Sequence, residues 1–174
     1  MCICSTSSTT MLTVGAKGPA VRILQRQLNQ RVKDLDLMDS MSVLVDGVFG
    51  PKTLTVVKYL QCVCGFPVNG QIDKESDRFI SRGLAGLPRL LAEDEQAEHL
   101  RTCVAAVQRT ILAAGVEVVV DGRFGPRTLA ALKKYQQQIG LPVSGVVDLA
   151  TWEKVVRSRL MSLPCAALLP NLYR

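Results

Sequence analysis

At 174 residues, with 48% hydrophobic and 21% charged side chains, the chain is too apolar to be a disordered polymer and long enough for one ordinary domain or two small ones. The 21 basic and 15 acidic residues leave a net charge of +6, spread evenly over both halves without a basic run, so attraction to polyanions is weak and general. Three Tyr, four Phe and one Trp are too few for base stacking, and no segment approaches a membrane span, so neither nucleic acid nor membrane insertion is expected.

Residues 1–11 read as a polar, flexible tail without the basic start or apolar stretch of a signal peptide. A first helix is expected from Pro19, with Gly18 as N-cap and Val21, Leu24, Leu28 and Val32 on one buried face. Residues 34–44 form an irregular link. Val45-Asp46-Gly47 is a tight turn, and Gly50-Pro51 opens a second helix that Gly65 and Pro67 stop. Asn69-Gly70 turns the chain again before a short helix from about Lys74 to Arg82.

Residues 83–92 are an apolar linker: Gly83, Gly86 and Pro88 break it, while Leu84, Leu87, Leu90 and Leu91 should pack and join what lies on either side. Glu93-Asp94-Glu95 favours a new helix start, with Leu100, Val104, Val107, Ile111 and Leu112 as its buried stripe and Gly115 as its end. Further helices are expected over Arg127–Ile139 and from Ala150 to about Met161. The tail, residues 162–174, should lie on the body.

This order is one message given twice. Val45-Asp46-Gly47-Val48-Phe49-Gly50-Pro51-Lys52-Thr53-Leu54 returns as Val120-Asp121-Gly122-Arg123-Phe124-Gly125-Pro126-Arg127-Thr128-Leu129. The match runs on without a gap through Lys58/Lys133, Gln61/Gln136, Gly65/Gly140, Pro67/Pro142 and Gly70/Gly145 to Asp73/Asp148. A repeat this long is a small domain rather than a solenoid turn. The expected organisation is all-α: two three-helix domains, 12–82 and 93–161, in tandem and sharing an interface, because domains this small are marginal alone.

Folding accounts for most of the repeated loop. Asp46 and Asp121 can accept from loop N–H groups, Gly47 and Gly122 permit the turn, and Phe49 and Phe124 are core plugs. Gly50 and Gly125 cap the helix that follows, and Thr53 and Thr128 can satisfy a free N–H in its first turn. Exposed candidates for binding sit beside the loop: Arg123, Arg127 and its counterpart Lys52, whose cationic heads suit carboxylates. Tyr135 and Trp152 either offer aromatic faces to a sugar ring or belong to the core. Gln61 and Gln136 either bond the loop from inside or contact ligand, the former being favoured.

The six cysteines, Cys2, Cys4, Cys62, Cys64, Cys103 and Cys165, contain no Cys-x-x-Cys pair, and the single histidine, His99, completes no metal or nucleophile set. They read as reduced, buried thiols suited to a reducing compartment. No catalytic group and no cofactor are expected.

Asp-Gly-x-Phe-Gly-x-x-Thr, followed by a helix bearing Lys and Gln and then Gly-(Leu/Phe)-Pro-Val-x-Gly, resembles the peptidoglycan-binding domain family. The resemblance covers both repeats and is closer in the second, which keeps Tyr135 and Trp152 where the first has Leu60 and Asp77. Departures are Asn69 and Ser144 in place of a second Asp-Gly aspartate, and Asp73 and Asp148 in place of a glycine before the last helix. The resemblance implies a non-catalytic module holding peptidoglycan or its stem peptide, with the second repeat as the better binder. The alternative is an intracellular scaffold that reuses the fold to bind another protein. The sequence reads as cytoplasmic, the wall being reached only by a non-classical or lysis-dependent route.

Overall fold

A computed structural model describes residues 12–91, 98–160, 165, 167 and 168. Among these the chain is helical, with no named strand. The first repeat supplies α1 (Pro19–Asp34), α2 (Pro51–Cys64) and α3 (Lys74–Arg82). The second supplies α4 (Arg101–Ala113), α5 (Pro126–Gln138) and α6 (Leu149–Leu160). The expected tail at 1–11 and the Glu93-Asp94-Glu95 helix start lie outside the described residues.

Three of these helices begin at a Gly-Pro pair, as the sequence indicates: Gly18, Gly50 and Gly125 cap α1, α2 and α5, and proline takes the first helical position, where a missing N–H costs nothing. Asp73 and Asp148, the two departures from the family glycine, accept from the backbone N–H of Ser76 and Thr151 at 2.8 and 2.9 Å. They cap the last helix of each repeat with a carboxylate, a favourable charge at that end.

Phe49 and Phe124 are 1% and 0% exposed, and each burial contributes on the order of 1.5–3 kcal/mol. The stripe expected on α4 holds at Val104, Val107 and Ile111 but fails at Leu112, which is exposed. The reason is the link that follows it. From Gln25 on α1 to Asp46 the first repeat uses more chain than the second does from its counterpart Gln108 on α4 to Asp121, and the longer link folds back over its helix. Asn29 secures it, accepting from the Val43 N–H at 2.7 Å and donating to the Val43 carbonyl at 2.9 Å. Leu112 occupies the equivalent place on α4 and has no such link above it.

The linker packs. Leu87 and Leu90 are buried, and Leu90 exchanges backbone hydrogen bonds with Val147 in an isolated antiparallel bridge. Leu12 and Ile72 form the corresponding bridge in the first repeat.

One apolar core runs through both repeats, and α2 explains how. Tyr59, Leu60, Gln61, Cys62, Val63 and Cys64 are all buried, which no single face of a helix allows. One side of α2 faces its own repeat; the other lies against α4 and α6. The Tyr59 hydroxyl donates to the Leu160 carbonyl at 2.7 Å, and Arg159 donates to the carbonyls of Cys62 and Val63 at 2.6 and 2.9 Å. Gly65, at φ 77°, ends α2 so close to α4 that a Cβ there would collide with Ala106. The matching stretch of α5 keeps Lys134, Gln137 and Gln138 in solvent.

Cys62 and Cys165 are joined by a disulfide, with Cα atoms 5.6 Å apart. This corrects the expectation of reduced thiols throughout: Cys62 turns to the inter-repeat side of α2, where the C-terminal segment meets it. Cys64 and Cys103 are free and buried. Most of the tail lies outside the described residues, but Cys165 is buried and Leu168 packs on the core.

Candidate functional site

Each repeat is built on a pair of glutamine clamps. In the second repeat Gln108, buried on α4, donates through Nε2 to Asp121 Oδ1 (2.9 Å), the Arg123 carbonyl (3.0 Å) and Thr128 Oγ1 (3.0 Å). Its Oε1 accepts from the Gly122 N–H at 2.8 Å. Gln25 does the same for Asp46, Val48, Thr53 and Gly47 in the first repeat. The second clamp is Gln61, which holds Asn69, Gln71, Ser76 and Gly70; its counterpart Gln136 holds Ser144, Val146, Thr151 and Gly145. An amide is what each position needs: an acceptor toward one N–H and a donor toward several oxygens.

Gln61 and Gln136 are therefore internal loop holders, 2% and 1% exposed, and Gln136 has no atom left for ligand. Thr53 and Thr128 serve the clamp rather than a free helix N–H; the Thr128 hydroxyl also donates to the Arg123 carbonyl at 2.9 Å. Gln25 and Gln108 were not singled out as loop holders from sequence. The signal was present: a side-chain acceptor (Asp46, Asn69, Asp121 or Ser144), glycine next, and a hydroxyl residue at one fixed interval (Thr53, Ser76, Thr128 or Thr151) recur at every clamp.

The hook carboxylates are held below the usual carboxylate range. The Gln25 amide, then the Val48 N–H, lowers Asp46; the Arg123 N–H, then the Gln108 amide, lowers Asp121. The Thr151 N–H lowers Asp148. In the unfolded chain these groups take up protons near pH 4, before the folded chain does. Their stabilisation is thus complete above that pH and is lost as pH falls through the lower folded values. The melting temperature is expected to be flat from pH 7 to about 5 and to fall below about 4, modestly for carboxylates this exposed to solvent. Asp121→Asn should melt lower than wild type at pH 7 and lose less on acidification, read by circular dichroism.

The aromatic candidates are not available to a sugar. Trp152 is 1% exposed and donates from its indole N–H to the Pro88 carbonyl at 2.6 Å, tying α6 to the linker. Tyr135 is 4% exposed, and burial pushes its hydroxyl pKa up. Arg123, Arg127 and Lys52 are exposed, as a binding role requires, and no two of them line the same one of the grooves described below.

Of the three, Arg127 lines a groove. It lies with Lys134 and Glu117 beside Leu112, Val118, Val119 and Ala130, over a volume of about 500 Å³ between α4 and α5. Leu112 is 49% and Val119 61% exposed. The groove exists because the shorter link of the second repeat leaves that face of α4 uncovered. Lys134 lies on α5 away from the repeated loop beside which the candidates were sought, and its first-repeat counterpart, Tyr59, carries no charge. Among the described residues no three His, Cys, Asp or Glu side chains are grouped to hold a metal.

The sequence matches the family described as putative peptidoglycan binding domain over residues 17–76 and again over 102–155. A 66-residue stretch, 38% of the chain, is 33% identical to an uncharacterized protein in the bpoA1 3' region of Kitasatospora aureofaciens and covers 54% of that protein. A 41-residue stretch, 24% of the chain, is 39% identical to the zinc D-Ala-D-Ala carboxypeptidase of Streptomyces albus G and covers 16% of it. The chain thus spans about half the length of the first relative and a small part of the second. No solved structure matches. With both repeats matched and most of the sequence covered, the chain belongs to the peptidoglycan-binding domain family, carrying the domain twice in tandem.

Proposed function

We propose that the protein is a non-catalytic holder of peptidoglycan that grips the stem peptide through its second repeat. The observation that carries this is the open α4–α5 groove, an apolar floor where two cations, Arg127 and Lys134, outnumber one carboxylate, Glu117, on the repeat that keeps the family motif most fully. Aliphatic side chains of a peptide suit the floor, and its carboxylates suit the two cations. The burial of Trp152 and Tyr135 favours peptide over glycan as the recognised part. The carboxypeptidase relative is a zinc enzyme by name, but the shared stretch is a small fraction of it, so the likeness supports wall binding without carrying hydrolysis to this chain. The Cys62–Cys165 bond supports an oxidising compartment, where peptidoglycan would be met, over an intracellular scaffold.

The test is co-sedimentation with purified insoluble peptidoglycan. The wild-type chain is expected in the pellet, and an Arg127→Gln/Lys134→Gln variant is expected to need about tenfold more wall for the same bound fraction, the loss of two charge-assisted contacts. A wild-type chain that stays in the supernatant at both low and moderate salt would end this reading.

A further inference from the structure

A second groove lies where the two repeats meet, and neither repeat owns it. Its volume of about 710 Å³ falls within the range of ligand clefts, about 300–1,000 Å³. One wall is the turn that ends α2, with Phe66 and Val68; the opposite wall is one stripe of α4, where Arg101, Ala105 and Arg109 stand four residues apart. Arg159 of α6 and the Asp121-Gly122 hook close the ends.

Charge in this groove is unbalanced. Three guanidiniums face one carboxylate, that of Asp121, whose Oδ1 already holds Gln108 and the Arg123 N–H. Arg101 pairs with Glu98 at 3.2 Å on the open surface, a weak and exchangeable contact. Arg159 is spent on the carbonyls of Cys62 and Val63. Arg109 forms no ion pair or hydrogen bond among the described residues, and it lines the same groove as Arg159, whose protonated form is disfavoured first by burial and then by the Arg109 charge. Two like charges held together at a cleft with apolar walls are relieved by a bound anion.

We propose that this inter-repeat groove is a second subsite, which takes a free carboxylate of a wall stem peptide on Arg109 and Arg101. The inference rests on the wall-binding reading. The apolar walls select the occupant: Phe66, Val68, Ala105 and Val120 suit aliphatic peptide side chains and offer little to a hydrophilic polyol phosphate. Planar guanidiniums match a planar carboxylate bidentately. A ligand here touches the hook of the second repeat and the Gly-Phe-Pro-Val turn of the first at once. The tandem therefore makes a site that a single domain lacks, and the repeat that lost the family aromatics contributes one wall of it.

Isothermal titration of the full-length oxidised chain tests this. The probes are a soluble muropeptide with free carboxylates, the same fragment amidated, and a wall teichoic acid. Arg109→Gln is expected to weaken muropeptide binding about tenfold, amidation of the probe to weaken it as much, and Ala105→Glu, which sets a carboxylate in the groove, to weaken it further. Arg109 is exposed and Ala105 half-buried at the open groove, so Arg109→Gln should leave the melting temperature within about 2 °C of wild type, and thermal melting checks that Ala105→Glu is folded. Unchanged muropeptide affinity in both variants, equal binding of the amidated probe, or an Arg109 effect seen with teichoic acid alone overturns the proposal. Co-sedimentation separates the two readings. If wild type does not pellet with peptidoglycan, both fall. If it pellets and titrates with muropeptide indifferently to Arg109, only the inter-repeat groove falls.

Discussion

Replacing Gln108 by alanine is expected to lower the unfolding free energy by about 3–5 kcal/mol, among the largest effects a single substitution in this chain can have. The side chain is fully buried, so nothing from solvent replaces it. Its loss leaves the Gly122 N–H without an acceptor and the Arg123 carbonyl with only the Thr128 hydroxyl. It also removes from the Asp121 carboxylate a donor that holds it in place. A buried N–H without a partner costs about 1–3 kcal/mol by itself, and the cavity adds to it. Gln108→Met separates the two contributions: it keeps the length of the side chain and removes every hydrogen bond, so it should recover part of the packing loss and none of the polar loss. Urea unfolding of the two variants beside wild type measures both. A Gln108→Ala chain within about 1 kcal/mol of wild type would show that the hook holds itself, against the whole account of the clamp.

The same clamp shows what a sequence reader can and cannot see. Gly18-Pro19, Gly50-Pro51 and Gly125-Pro126 announce helix starts because each residue's own backbone limits decide the matter locally. Gln61 and Gln136 could be assigned to their loops because each is a polar residue on an apolar face with a glycine turn close behind. Gln25 and Gln108 reach loops farther along the chain, across a link whose length differs between repeats, and only the recurring hydroxyl partner betrays them. The grooves lie beyond that kind of reading. The α4–α5 groove opens because the second link is short and Asn29 is replaced by Leu112, a difference that lengthens exposure rather than changing any motif. The inter-repeat groove depends on how two copies pack. A hint of that packing was present in α2, whose last turns are apolar all round but for Gln61, whereas the same turns of α5 carry Lys134, Gln137 and Gln138. Trp152 and Tyr135 fit core and ligand roles equally well by type, and only burial and the bond to Pro88 decide between them.

Breaking the Cys62–Cys165 bond is expected to cost about 4–5 kcal/mol at most, because the crosslink closes a loop with a sequence separation of 103 and so restricts the unfolded chain strongly. For a chain of this size that corresponds to a fall in melting temperature of roughly 10–15 °C. No rule of spacing could have named the pair, since six cysteines admit many pairings. The folded chain isolates this bond from its neighbours. Cys64 stands two residues away on α2, but burial raises its thiol pKa, and burial followed by Glu75 pushes Cys103 up to about 12. Neither is a thiolate near neutral pH, so neither exchanges with the disulfide. The repeats should stay docked after reduction, because the Tyr59–Leu160 and Arg159 contacts do not depend on the crosslink. Unfolding should then remain a single transition at lower temperature. Cys62→Ser, Cys165→Ser and the double variant should melt alike, since each removes the same bond and the second substitution finds nothing left to break. Scanning calorimetry with and without reductant, beside non-reducing peptide mapping, reads all of this. Melting that is indifferent to reductant within about 2 °C, or a map showing both sulfurs as free thiols, would refute the crosslinked tandem.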